Sequence, residues 1–162
     1  MKTKIVLTIA LLLTVISSAY AQTSYSFADG LNKAKSQNKK VLINIFSESN
    51  AWSQKMDLIY ALDNIRNYVN SNFIYVKLNA GGSEKISYGG KDYTAASLAK
   101  FLGATGYPTH VFLNPDGGII LFKYNGESTG AFPGYVEAGD FEKILKFFAE
   151  NIYTNTDLSK VM

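Results

Sequence analysis

The 162-residue chain contains no cysteine, a single histidine (His110) and a single tryptophan (Trp52). Without a thiol there is no disulfide, no thiolate nucleophile, no cysteine zinc site and no attachment point for a lipid anchor on cysteine. One histidine leaves only scattered carboxylates as metal ligands. Glu48, Asp57 and Asp63 lie near one another, but Asp63 reads as a solvated helix residue. Charge of one sign is also lacking, with 16 Lys and Arg against 13 Asp and Glu, which argues against a nucleic-acid partner. The pairs Gly81-Gly82 and Gly89-Gly90 do not stand between a strand and a helix start at the spacing of a phosphate-binding loop. The sequence therefore implies no metal and no cofactor.

Long apolar runs are equally scarce. Only Ile5 to Ile16 qualifies, and it is shorter than the ~20 residues needed to span a bilayer. Lys2 and Lys4 precede it and Ala19-Tyr20-Ala21 follows, an order that reads as a secretory signal peptide cleaved after Ala21. Residues 1–21 are thus expected to leave, and residues 22–162 to form one periplasmic or secreted domain with no membrane span of its own. Its stability has to come from packing, which the 47% hydrophobic content supports.

What is present is organised. Phe27, Leu31 and Ala34 recur at helical spacing over Phe27–Gln37, and Val41 to Phe46 is a near-continuous β-branched and apolar run suited to a central strand. Ser47 to Asn50 form a turn. Ala51 to Asn70 carries Met56, Ile59, Tyr60, Ile65 and Val69 at helical spacing and reads as one helix, with room for a bend. Phe73 to Leu78 reads as a second core strand, and the glycine-bearing stretch from Ala80 to Tyr93 as a flexible loop. Thr94 caps a helix running to about Leu102. His110 to Leu113 is a strand, Asn114 to Gly118 a turn, and Ile119 to Tyr124 its expected hairpin partner. An amphipathic helix from about Asp140 to Ile152 closes the chain. The alternation of crossovers with one hairpin predicts an α/β fold, a single mixed sheet with helices on both faces.

Two segments carry a family resemblance. Val41 to Met56 includes the strand Val41-Leu42-Ile43-Asn44-Ile45-Phe46 and the turn Asn50-Ala51-Trp52-Ser53-Gln54-Lys55-Met56, and it resembles the strand, C-G-W-C turn and K-M of exported thioredoxin-like proteins. Gly106-Tyr107-Pro108-Thr109 is similar to their G-Y-P-T segment. The resemblance implies a thioredoxin-like fold, a cis peptide bond at Pro108, and a groove between the turn and the cis-proline loop. It also exposes three departures. Asn50 and Ser53 stand where the two redox cysteines would be, and Asn44 stands where many relatives have a buried acid. Neither an amide nor a hydroxyl can form a mixed disulfide, and an Asn removes a titrating group.

The resemblance implies that Tyr107, Pro108 and Thr109, with Trp52 across the groove, hold an extended polypeptide of the cell envelope by strand addition, which needs main-chain groups rather than thiols. Trp52 reads either as a ring packed on the domain edge or as an anchor for a partner, and Tyr107 invites the same two readings. Tyr88 and Tyr93 are the residues of the glycine-bearing loop expected to border the groove. The rival readings are an accessory of a thiol–disulfide pathway, a structural subunit using a helix face, and a non-redox enzyme on the same scaffold. The enzyme would need Ser53 as nucleophile and His110 as base, without a clearly placed acid to orient it.

Overall fold

The β-branched run becomes the middle of the sheet because both of its faces are buried. In the computed structural model, which describes residues 22–162, the five-stranded sheet has the order β1-β3-β2-β6-β9. Here β1 is Ser24–Tyr25, β2 Lys40–Phe46, β3 Phe73–Asn79, β6 Thr109–Leu113 and β9 Ala131–Pro133. The expected signal peptide lies outside the described residues. Strand β2 pairs parallel with β3 and antiparallel with β6, so the sheet is mixed. Helices α1 (Phe27–Gln37), α2 (Ala51–Ala61), α3 (Asp63–Asn72), α4 (Ala95–Phe101) and α5 (Ala138–Ala149) cover both faces.

The alternation of side chains along β2 separates two cores. Val41, Ile43 and Ile45 join Ile74, Val76, Val111 and Leu113 beneath α1 and α4 in a largely aliphatic layer. Leu42 faces the other way with Phe73, Tyr75 and Phe112, beneath α2, α3 and α5, in an aromatic layer. There Phe112 stacks on Phe148 with centroids 3.7 Å apart and 12° between planes. Lys40 at the start of β2 ties this layer down, its Nζ donating to the Phe148 carbonyl at 2.8 Å and to Asn151 Oδ1 at 2.7 Å. That places a cation at the C-terminal, electronegative end of α5.

Four elements differ from the sequence reading. The segment from Ala51 is two helices rather than one, because Leu62 leaves the helical region (φ −62°, ψ 135°) and restarts the chain as α3. Asp63 then sits in the first turn of α3, where a carboxylate is favourable, and receives Arg66 at 2.6 Å. The stretch read as a loop is a hairpin of β4 (Lys85–Tyr88) and β5 (Lys91–Thr94). Gly89 and Gly90 supply the two successive positive φ angles, 57° and 76°, that such a two-residue turn needs. At its end Thr94 caps α4 as expected, through a reciprocal pair with Ser97.

Ile119 to Tyr124 does not form the hairpin partner of β6. Only a single bridge joins Leu113 to Ile119, whereas β7 (Phe122–Tyr124) pairs with β8 (Glu127–Thr129) around Asn125-Gly126. The place beside β6 goes to β9, whose Pro133 is tolerated because that strand is the sheet's edge. Finally, α5 begins at Ala138 and ends at Ala149, and Asn151 (φ 59°) turns the chain into a short 3-10 segment, Ile152–Thr154. The last residues return to the small hairpin, where Asp157 accepts from the backbone N–H of Asn125 (3.1 Å), Gly126 (2.7 Å) and Ser159 (2.9 Å).

Candidate functional site

Antiparallel pairing of β2 with β6 brings the end of one strand beside the start of the other. Ile45 lies opposite Thr109, so the turn that follows β2 and the loop that precedes β6 meet at the same edge of the sheet. The Tyr107–Pro108 peptide bond is cis, and the Pro108 carbonyl accepts from Gly134 N–H at 2.7 Å, fixing the loop against β9.

Within the turn the two positions of the missing cysteines have structural duties. Asn50 is the N-cap of α2, its Oδ1 accepting from Ser53 N–H at 2.9 Å. Ser53 is buried, and its Oγ accepts from Ser47 N–H at 3.3 Å. Asn44 is fully buried on β2, donating from Nδ2 to the Tyr75 hydroxyl at 3.2 Å, while its Oδ1 has no partner among the described residues. Thr109 is buried too, its hydroxyl donating to the Gly106 carbonyl at 2.8 Å.

His110 sits directly across from Asn44 in the register and is also fully buried. Its Nδ1 shares a hydrogen bond of 3.0 Å with the Tyr60 hydroxyl, and its ring lies 5.2 Å from that of Phe141. Burial lowers its pKa from 6.5 to about 4, with the Gly134 backbone acting in the opposite direction. The same burial raises the Tyr60 and Tyr75 phenols, so both stay protonated. Asn44, Tyr60, Tyr75 and His110 form one polar cluster inside the aromatic core, linked by the Tyr60 and Tyr75 rings at 4.8 Å. Among the described residues no hydrogen bond joins Ser53 to His110, so the pair required for hydrolysis is not assembled.

The outward-facing residues are of another kind. Trp52 is 55% exposed, and its ring stands 5.6 Å from that of Tyr135. Trp52, Tyr107, Gly134 and Tyr135 line a slot of about 330 Å³. Ala51, beside Trp52 in the first turn of α2, is exposed and lines no part of it. Lys55, one turn further along α2, places its Nζ 4.3 Å from the Tyr135 ring centroid and 5.3 Å from that of Trp52, with Glu137 4.0 Å away. Neither backbone polar group of Tyr107 has a partner among the described residues. Tyr88 and Tyr93 do not border this slot. They pack with Phe27 and Phe101 under the other face, and the Tyr88 hydroxyl donates to the Gly117 carbonyl at 2.7 Å. Larger hollows, of about 790 and 640 Å³, lie along residues 121–128 with 153–157 and between Tyr88, Phe101 and Gly117, and neither reaches the turn.

Sequence reasoning paired Trp52 with Tyr107 but missed Tyr135 and Lys55. No local signal marks Tyr135, which arrives through the pairing of β9 with β6. Lys55 belongs to the quoted K-M, yet only the fold shows that it covers the rings.

A mixed sheet of this order, with a cis-proline loop set against the N-terminus of the helix that follows the central strand, defines a thioredoxin-fold protein whose active turn carries no thiol. The chain belongs to the thioredoxin-like domain family, whose model matches residues 27–149. No curated protein is detectably similar to it in sequence. Among solved structures it is similar to a thioredoxin-fold protein from Helicobacter pylori (TM-score 0.59, 18% identity, 76% of this chain and 80% of that one). It is also similar to a putative disulphide-isomerase from Bacteroides thetaiotaomicron (0.59, 21%, 80% and 93%) and to a thioredoxin from Thermus thermophilus (0.56, 19%, 79% and 88%). At these identities the likeness is one of fold. Without cysteine, thiol–disulfide exchange has no nucleophile in this chain. Among the described residues no helix is long and apolar enough to cross a membrane.

Proposed function

We propose that the protein is a redox-inactive binding or assembly module that holds an extended polypeptide of the cell envelope, not a catalyst. The observation that carries this reading is the exposed aromatic slot of Trp52, Tyr107 and Tyr135 beside the unpaired backbone of Tyr107. An added strand needs free main-chain donors and acceptors plus a pocket for a side chain, and both lie within one loop of each other. Nothing in that arrangement depends on sulfur. The structural duties of Asn50 and the buried Ser53 support the same reading, because they hold the turn's shape without a thiol.

The reading places the mature chain, residues 22–162, in the periplasm or outside the cell, without a membrane span, a cofactor or a nucleic-acid partner. The test is photo-crosslinking in the native envelope, with the reactive group at position 52 and a control at Glu150, at the C-terminal end of α5. Capture of a polypeptide from position 52 alone is the expected result. Capture only from the helix, or from neither position, would overturn the groove as the binding site.

A further inference from the structure

Of the asparagines in the chain only Asn125 is followed by glycine. In such a pair the glycine's backbone nitrogen reaches the asparagine's Cγ with no side chain of its own in the way. The nitrogen gives its proton to water, a new N–Cγ bond closes a succinimide ring, and the Cγ–Nδ2 bond breaks with release of ammonia. Water then opens the ring at either carbonyl and leaves aspartate or isoaspartate. The sum is an amide plus water giving an acid plus ammonia, with nothing oxidised or reduced.

The fold puts this pair at the tip of the β7–β8 hairpin, with φ 51° at Asn125 and 83° at Gly126, and both residues are exposed. Nothing lies within 4 Å of where a Cβ on Gly126 would start, so bulk does not shield the site. A charge stands there instead. Asp157 Oδ2 accepts from Gly126 N–H at 2.7 Å, while Oδ1 takes Asn125 N–H at 3.1 Å, Ser159 N–H at 2.9 Å and the Ser159 hydroxyl at 2.7 Å. One carboxylate oxygen therefore serves Gly126, and the other holds Asp157 in place. The same donors keep the carboxyl ionised, lowering its pKa to about 2, with the Ser159 hydroxyl contributing most.

Attack on Cγ requires the Gly126 nitrogen to lose the proton that it gives to Asp157. A charge-assisted hydrogen bond has to break, and a second negative charge has to form beside a carboxylate. Both raise the barrier to the reaction. We propose that Asn125-Gly126 is a deamidation site and that Asp157 is the guard that keeps it unreacted in the folded chain. The product also acts on the guard, because aspartate at 125 adds a like charge next to Asp157 and isoaspartate lengthens the turn by a methylene. None of this depends on the groove.

The test incubates the mature wild-type chain, Asp157→Ala and Asp157→Asn in mildly alkaline buffer, with the wild type also held in urea. Mass spectrometry of the peptide carrying position 125 gives the rate, and released ammonia is measured alongside. The folded wild type is expected to react slowest and the urea sample fastest. Folded Asp157→Ala should react about tenfold faster than folded wild type, as fits the loss of one hydrogen bond to a charged group. Circular dichroism checks each fold. Asp157→Asn keeps an acceptor of the same shape without the charge, should fall between the two, and carries the comparison if Asp157→Ala unfolds. Equal rates in the folded wild type and the folded variants would overturn Asp157 as the guard. Absence of product at position 125 in urea would overturn the site itself.

Discussion

Beneath the turn and around its rim the protein has placed polar and aromatic residues in opposite ways. Asn44, Tyr60, Tyr75 and His110 are buried, linked to one another, and leave two atoms, Asn44 Oδ1 and His110 Nε2, without partners among the described residues. Trp52, Tyr107 and Tyr135 line an accessible slot, and Lys55 lies over the ring faces of Trp52 and Tyr135. The first group bears on stability, because an unpaired buried polar atom carries its full desolvation cost. The second bears on recognition, since losing an exposed ring changes little in the folded chain. Among the described residues no hydrogen bond joins the two groups, so they can be perturbed one at a time.

The largest expected effect comes from His110→Ala. It removes a ring packed between Tyr60 and Phe141 and strands the Tyr60 hydroxyl, which should cost about 3 kcal/mol in urea unfolding. The paired change Tyr60→Phe with His110→Leu removes both hydrogen-bonding partners at similar volume and should cost far less than the single variant. If both cost the same, the polar link is not what matters and packing alone decides.

Acid should act almost as strongly. His110 has a folded pKa of about 4 against 6.5 when exposed, so between these values the unfolded chain binds a proton that the folded chain refuses. Stability then falls as the pH drops from 6.5 to 4, by about 3 kcal/mol in all. Above 6.5 the histidine is neutral in both states and contributes no slope. The Tyr60→Phe, His110→Leu variant should flatten this part of the profile. An unchanged slope would assign the acid sensitivity to other groups.

Asn50→Ala deletes the cap of α2 and should cost about 1 kcal/mol, read as a lower urea midpoint at unchanged m-value. Trp52→Ala should change the midpoint least, within about 0.5 kcal/mol, while abolishing retention of the envelope polypeptide in a pull-down with the mature chain. A large loss of stability in Trp52→Ala would erase the contrast between the two groups and make Trp52 a packing residue.

How much of this was legible depends on how local the signal is. Val41 to Phe46 was readable because a β-branched run is a contiguous pattern, and Gly106 to Thr109 because it resembles the family's G-Y-P-T segment. Thr94 was readable because a cap is decided within three residues. The β4–β5 hairpin was missed because only Ile86 of its first strand is buried, and Gly89-Gly90 looks the same in sequence whether it loosens a loop or closes a tight turn. Strand β9 has three residues, one of them proline, and no periodicity at all. Its absence from the sequence reading hid Tyr135 as well, because that residue reaches the slot only after Ala131–Pro133 has docked on β6. The burial of His110 was equally invisible, since a histidine at a strand start reads as polar until the helix above it is placed.

The Asp157 contacts tie two distant parts of the chain together. The turn at Asn125-Gly126 receives its acceptor from a residue 31 positions later, which closes a long loop at modest entropic cost. The carboxylate is a latch on the small hairpin: Asp157→Ala leaves the groove residues in place and deprives Asn125 and Gly126 of the acceptor for their backbone N–H groups.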